Sequence, residues 1–120
     1  IFLPRINLMR LMVDLMGFEN GMTALCLYPR ETERLIQAIN ETDDAVLETV
    51  AASPIEIVNY GDNVHQVLCP PPLFTRYVLP EYQRRNAILH NAGKKTYPHW
   101  DGDCAQLLHF SDSRLAAWSL

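Results

Sequence analysis

Basic residues are in short supply in this sequence: ten Lys and Arg stand against fourteen Asp and Glu, giving a net charge of −4 at pH 7. No stretch gathers cations into a patch, and the pairs Arg84-Arg85 and Lys94-Lys95 read as solvated. Nucleic acid is therefore not an expected partner, because neutralising phosphates requires clustered positive charge. Cysteine is scarce as well. Cys26, Cys69 and Cys104 are odd in number and fit no disulfide framework, which points to a reducing, cytoplasmic setting with thiols that are buried, free or ligating. No apolar run approaches the ~20 residues of a membrane span, since Arg5, Arg10 and Asp14 interrupt the Leu- and Met-rich opening "IFLPRINLMRLMVDLM". A serine or cysteine nucleophile motif, a glycine-rich phosphate loop and a CxxC pair are all missing. By elimination, any chemistry is acid–base, substrate-orienting or metal-assisted.

What is present describes a folded domain. The 120 residues are 48% hydrophobic and 20% charged, enough for one modest core. The chain starts on Ile rather than Met and is apolar from its first residues, so it reads as an interior piece of something longer.

Hydrophobic spacing then lays out the elements. From Ile6 to Met16 the apolar residues surround the helix axis, which predicts a buried helix stopped by Gly17. A looser stretch with a turn at Asn20-Gly21 follows. Pro29 suits a first helical position, with Glu31 and Glu33 near the positive end of the dipole. Leu35, Ile39, Val46 and Val50 form its apolar stripe, and Ser53-Pro54 ends it. "IEIVNY" (55–60) is β-branched and bounded by Pro54 and Gly61, hence a strand. Helical spacing resumes through Val78, Tyr82 and Leu89 up to Gly93, with Pro80 kinking the helix or opening a second segment. "KKTYPHW" (94–100) is a second strand, and another helix is expected near Cys104. Strands separated by long amphipathic helices imply an α/β fold with parallel pairing, and functional groups then gather at the carboxyl ends of the strands.

Two polar clusters stand at those ends. In "GDNVH" Gly61 lets the backbone turn, and Asp62 and His65 then project beyond the strand. Asp62 is either a substrate acceptor or base, with His65 beside it, or an ordinary turn former together with Asn63. In "HWDGDC" His99 and Asp101 are two apart, so on an extended segment both face the same side. Imidazole and carboxylate both bind zinc, at about 2.0–2.2 Å, but a catalytic zinc takes three protein ligands. The alternative is a strand-terminal His capped by an Asp, with Asp103 at a helix N-cap. Tyr60 and Trp100 flank the clusters and offer faces for a flat substrate, or simply core and rim.

The run "IVNYGDNVHQVLCPPPLFTRYVLPEYQRRNAILHNAGKKTYPHWDGD" resembles the uroporphyrinogen decarboxylase superfamily. That superfamily has a strand ending in Gly-Asp-Asp or Gly-Asp-Asn, a proline link with a Phe, a helix of the type "LPYYQRR…LHAAGK", and a strand ending in His-x-Cys-Gly or His-x-Asp-Gly. Here these are Gly61-Asp62-Asn63, Pro71-Pro72 with Phe74, Leu79 to Gly93, and His99-Trp100-Asp101-Gly102. The likeness is best over 55–104, extends to the Pro29–Ala52 helix, and fades after His109, so that 110–120 is atypical. The resemblance implies that residues 1–120 are part of a (β/α)₈ TIM barrel, a fold of about 250 residues, with about two parallel strands and their flanking helices.

The superfamily has two chemistries. Its decarboxylases act on a tetrapyrrole without a cofactor, using an aspartate from a barrel segment that this sequence does not contain. Its methyltransferases use zinc, held by the His and Cys of His-x-Cys and a later Cys, to activate a thiol that takes a methyl group from a corrinoid protein. His99 matches that His, and Asp101 stands in place of the Cys, which leaves a harder His/carboxylate site. The resemblance favours the methyltransferase branch, with zinc on His99 and Asp101, a corrinoid supplied by a partner protein, and Asp62 and His65 at the barrel mouth. Tyr60, Asn63 and Trp100 would then contact substrate. The alternatives are cofactor-independent decarboxylation of a tetrapyrrole and a barrel that binds a tetrapyrrole or corrinoid without catalysis.

Overall fold

The computed structural model describes residues 1–62 and 64–110. A short strand β1 (Phe2–Leu3) leads into α1 (Asn7–Met9), which continues without a break as a π-helical segment, Arg10–Leu15. Then come α2 (Phe18–Leu27), α3 (Pro29–Ala52) and strand β2 (Ile57–Asp62). The second crossover is α4 (Pro71–Leu73), a second π-helical segment Phe74–Val78, and α5 (Leu79–Asn91). Strand β3 (Lys95–Trp100) and a 3₁₀ turn (Ala105–Leu107) complete the order. Among the described residues no helix is long and apolar enough to cross a membrane.

The three strands form one parallel sheet in the order β1-β2-β3. Parallel neighbours need crossovers long enough to return the chain, and each crossover here is helical. Phe2 pairs with Asn59 and Leu3 with Tyr60. Ile57 pairs with Lys95, and the register runs on to Gly61 opposite His99 and Asp62 opposite Trp100. Side chains alternate across a strand, so the two faces of the sheet differ sharply. Val58, Tyr60 and Asp62 of β2 are fully buried on the face that carries the helical core, with Leu3 and Thr96 beside them. On the other face Phe2 is 69% exposed, Ile57 58% and Tyr97 47%.

Several expectations need correction. The chain opens on a third strand rather than a helix, because Phe2 and Leu3 extend beside β2 and Pro4 follows. The stretch after Gly17 is helical and not a loose turn: Gly17 has φ of 80° and sets the start of α2, and Asn20-Gly21 lies inside it. A side chain on Gly21 would crowd the Met12 thioether, its Cβ falling 2.4 Å from the sulfur, so the Met12 side chain packs directly on the α2 backbone there. In α3 the buried stripe is Thr32, Ile36, Ile39, Asp43, Leu47 and Val50, while Leu35 and Val46 face outward. A carboxylate occupies the middle of this stripe, which hydropathy alone places on the surface. The helix expected near Cys104 opens with a 3₁₀ turn, Ala105–Leu107, and the last described residues, His109 and Phe110, are helical. Other expectations hold. Pro29 and Ala52 bound α3, Pro80 sits in the first turn of α5, and Gly93 at φ 77° ends it. There Lys94 N–H reaches Leu89 C=O and Gly93 N–H reaches His90 C=O, the paired bonds of a glycine C-cap.

The buried carboxylate is explained by Arg85, which is not solvated as its pairing with Arg84 in the sequence suggests but is itself inaccessible to solvent. Arg85 Nη2 donates to Asp43 Oδ2 at 2.6 Å, Nε to Glu81 Oε1 at 3.0 Å, and Nη1 to the Pro4 carbonyl at 3.1 Å. Arg10 donates to the other Asp43 oxygen at 2.7 Å. One guanidinium therefore ties α3, α5 and the β1–α1 connection together. Removing one partner from such a set strands the remaining charges in a low-dielectric interior. Arg85→Ala is expected to lower stability by about 3–5 kcal/mol, read from the midpoint of urea unfolding; a loss within the range of a surface substitution would show that water reaches Asp43 and Glu81.

Candidate functional site

The carboxyl ends of β2 and β3 lie side by side, and the residues singled out in the sequence divide there into two groups. His99 and Asp101 come together. His99 Nε2 lies 2.8 Å from Asp101 Oδ1, with the two side chains 60% and 50% exposed. The strand places them so: His99 is opposite Gly61 on the uncovered face, and Asp101, two residues on, follows it to the same side. A neutral imidazole in this pairing carries its proton on Nε2 and donates it to the carboxylate, which leaves Nδ1 as an acceptor.

Asp62 is in a different environment. It is fully buried on the helical face. Its Oδ1 accepts the Ile6 backbone N–H at 2.7 Å, and its Oδ2 accepts the Tyr82 hydroxyl. Burial raises its carboxyl above the ordinary aspartate value, against the bonds from Tyr82 and Ile6 and the fields of Arg85 and Arg5, which lower it. Tyr60 is also fully buried and donates to Asn86 Oδ1 at 3.0 Å, its hydroxyl pushed up by desolvation. Trp100 is half-buried, with Nε1 donating to the Tyr82 hydroxyl oxygen at 3.0 Å and the ring edge-on to Phe74 at 5.6 Å. His65 is half-buried: its Nδ1 accepts the Val67 N–H at 3.1 Å, and its ring lies where a side chain on Gly102 would be. Asn63 lies outside the described residues. Strand alternation thus puts Asp62 on one face and the His99–Asp101 pair on the other, while His65, beyond the end of β2, lies against Gly102.

The cysteines do not join either group. Cys104 Sγ is bonded to the carbonyls of Val64 at 3.2 Å and Gly102 at 3.3 Å. Cys69 is buried, and its thiol is pushed up to about 12 by desolvation, which leaves it un-ionised. Among the described residues no group of three His, Cys, Asp or Glu side chains converges to hold a metal ion. His99 and Asp101 thus offer two donors where a catalytic zinc takes three, and do not complete such a site by themselves. The N-cap of the 3₁₀ turn is Cys104 rather than Asp103, which lies one residue earlier and accepts the Ala105 N–H at 3.1 Å.

Two participants escape a reading of motifs. Ile6 enters through its backbone, which leaves no mark in the sequence. Tyr82 is visible as part of an apolar helical stripe, but its hydroxyl function depends on a carboxylate twenty residues away in the chain. Away from the strand ends, a groove of about 520 Å³ runs between α3 and the α4–α5 crossover. Most of its charged lining is internally paired, Arg76 with Glu33 and Arg84 with Asp44 and Glu81, while Glu41 accepts from the Gln37 amide.

The raised Asp62 carboxyl carries a pH signature. The folded state holds this proton more tightly than the unfolded chain, whose aspartates titrate near about 3.9. Its stabilising contribution is therefore complete below that value and is lost as pH rises through the folded one. Urea unfolding at a series of pH values should show wild type losing stability relative to Asp62→Asn as pH rises; parallel profiles would mean that Asp62 is solvated. In comparisons with known proteins, no family model matches the chain, and no curated protein or solved structure matches it.

Proposed function

We propose that this chain is part of a barrel enzyme of the uroporphyrinogen decarboxylase superfamily, with His99 and Asp101 in its active site. The observation that carries the reading is the pairing of these two side chains on the uncovered face, at the carboxyl end of a parallel strand. Open and closed parallel sheets alike collect their chemistry at that end. The sheet itself supports a barrel. Its strands are parallel and neighbour each other in chain order, its buried core lies on one face, and the other face leaves Phe2, Ile57 and Tyr97 exposed. On that other face the Asn59 Oδ1 is shielded from solvent yet has no hydrogen-bond partner among the described residues, as a group awaiting further structure would be.

Within the superfamily, the donor set favours proton transfer by the pair itself. Asp101 holds the imidazole in one tautomer and stabilises it when protonated. In a decarboxylation the bond to the carboxylate carbon breaks, carbon dioxide leaves, and the electron pair left on the substrate carbon takes a proton from His99. The substrate class is a tetrapyrrole carboxylic acid, and no cofactor is required. The second reading, zinc-assisted methyl transfer with a corrinoid protein as partner, is favoured by one observation: an imidazole nitrogen and a carboxylate oxygen already meet at one point. It requires a third ligand from outside the described residues. Zinc would there lower the pKa of a bound thiol, with His99 and Asp101 as its two ligands from this chain.

Elemental analysis and carbon dioxide release, measured on the full-length protein beside His99→Ala and Asp101→Ala, separate these. Decarboxylation predicts release of carbon dioxide from a tetrapyrrole acid, lowered about 10²–10⁴-fold in His99→Ala, with no zinc dependence. About one zinc per chain, lost in both variants, would establish the second reading instead. Neither metal nor turnover in the wild type would leave a binding barrel.

A further inference from the structure

One line of hydrogen bonds joins the carboxyl ends of all three strands. It starts at the Ile6 N–H in the β1–α1 connection and enters Asp62 at the end of β2 at 2.7 Å. From the second oxygen of Asp62 it crosses to the Tyr82 hydroxyl on α5, and it ends at Trp100 Nε1, the last residue of β3, at 3.0 Å. Asp62 and Tyr82 are 0% and 1% exposed, so water does not compete for these bonds. The direction of the line is fixed by chemistry. The Ile6 and Trp100 N–H groups only donate, so Asp62 and the Tyr82 oxygen accept from them, and with Asp62 ionised the Tyr82 hydroxyl donates to its second oxygen.

Trp100 is the residue between His99 and Asp101. Its ring points to the helical side, so its two neighbours point to the open side, where they meet. The ladder to β2 holds the backbone as far as Trp100, opposite Asp62, and beyond it the Gly102 carbonyl meets the Cys104 thiol. Pro98, two residues before Trp100, has no N–H to give the ladder, β3 lies at the edge of the sheet, and Gly102 follows Asp101 directly. The indole ties this segment to the helical face through Tyr82.

We propose that Asp62 and Tyr82 are positioning residues for the His99–Asp101 pair, acting through the indole of Trp100. Its functional meaning rests on the reading of that pair as the active site, whereas the coupling itself does not. Asp62 is then no base. It sets the donor direction of Tyr82, and Tyr82 holds the backbone from which the pair projects. The same line makes the β1–α1 connection, through Ile6, the far end of the support.

The coupling is tested by NMR on the full chain, with Tyr82→Phe, which removes one oxygen and keeps the ring, and Trp100→Phe, which cuts the link from its less buried end. Amide spectra establish that each variant is folded. In wild type, cross-relaxation between the His99 ring and the Asp101 β-protons and a single dominant Asp101 χ1 rotamer are expected. Both should be lost in each variant, the Trp100 indole N–H resonance should move upfield in Tyr82→Phe, and the double variant should go no further than either single one. A folded Tyr82→Phe that keeps the ring contact and the rotamer would overturn the proposal, and so would Trp100→Phe if Tyr82→Phe does not fold. Metal content and turnover report on the proposed activity and not on these signals, so either idea can fail while the other stands.

Discussion

A single guanidinium sets the terms of this fold. Arg85 has no access to solvent, and an unpaired charge in that position would be prohibitively costly. It is compensated by Asp43 from α3, Glu81 from the preceding turn of its own helix, and the carbonyl of Pro4 from the β1–α1 connection. Packing of apolar surface can be satisfied in many slightly shifted ways. A buried cation with three directional partners cannot, so the positions of α3 and α5 and the course of the chain after β1 are specified together. Arg10 and Arg84 extend the set outward, the first to Asp43 and the second to Glu81 and Asp44. Of these outer pairs only Arg84–Asp44 is exposed on both sides and contributes little by itself.

On the sheet side the same logic is repeated with neutral donors. Asp62, Tyr82 and Trp100 form a polar seam inside an aromatic cluster, with the rings of Tyr60 and Tyr82 5.5 Å apart and that of Phe74 touching both Tyr82 and Trp100. Burial makes each bond in the seam stronger and each missing partner more damaging. The two faces of the sheet thereby divide the work. The helical face holds the groups that must be fixed, and the open face carries the groups that are free to meet something else.

Much of the fold could be read from the chain, and the reasons for the rest are specific. Strand β2 is legible from the β-branched residues after Pro54, although it runs through Gly61 to Asp62 instead of turning at the glycine, and α5 is legible because Val78, Tyr82 and Leu89 keep helical spacing up to a glycine stop. Strand β1 is not, since two residues carry no period, and its existence depends on pairing with β2. The buried face of α3 is displaced from the hydropathy stripe because Asp43 is paid for by Arg85, forty-two positions away. At the site, the i and i+2 spacing of His99 and Asp101 is enough to foresee that they meet. The same alternation argument also places Asp62 on the opposite face from His99, once the register puts Gly61 across from it; that register is a property of the sheet, and single-strand patterns do not contain it.

The π-helical segment Phe74–Val78 has an effect on phase. In a regular α-helix, at about 100° per residue, residues eight apart point about 80° away from each other. A π turn takes up one extra residue, so Phe74 and Tyr82 behave like residues seven apart and differ by only about 20°. Both rings consequently reach the same indole, from 5.6 and 6.2 Å. The angular setting of the whole of α5 relative to the sheet is therefore encoded in the number of residues in this stretch rather than in their chemistry.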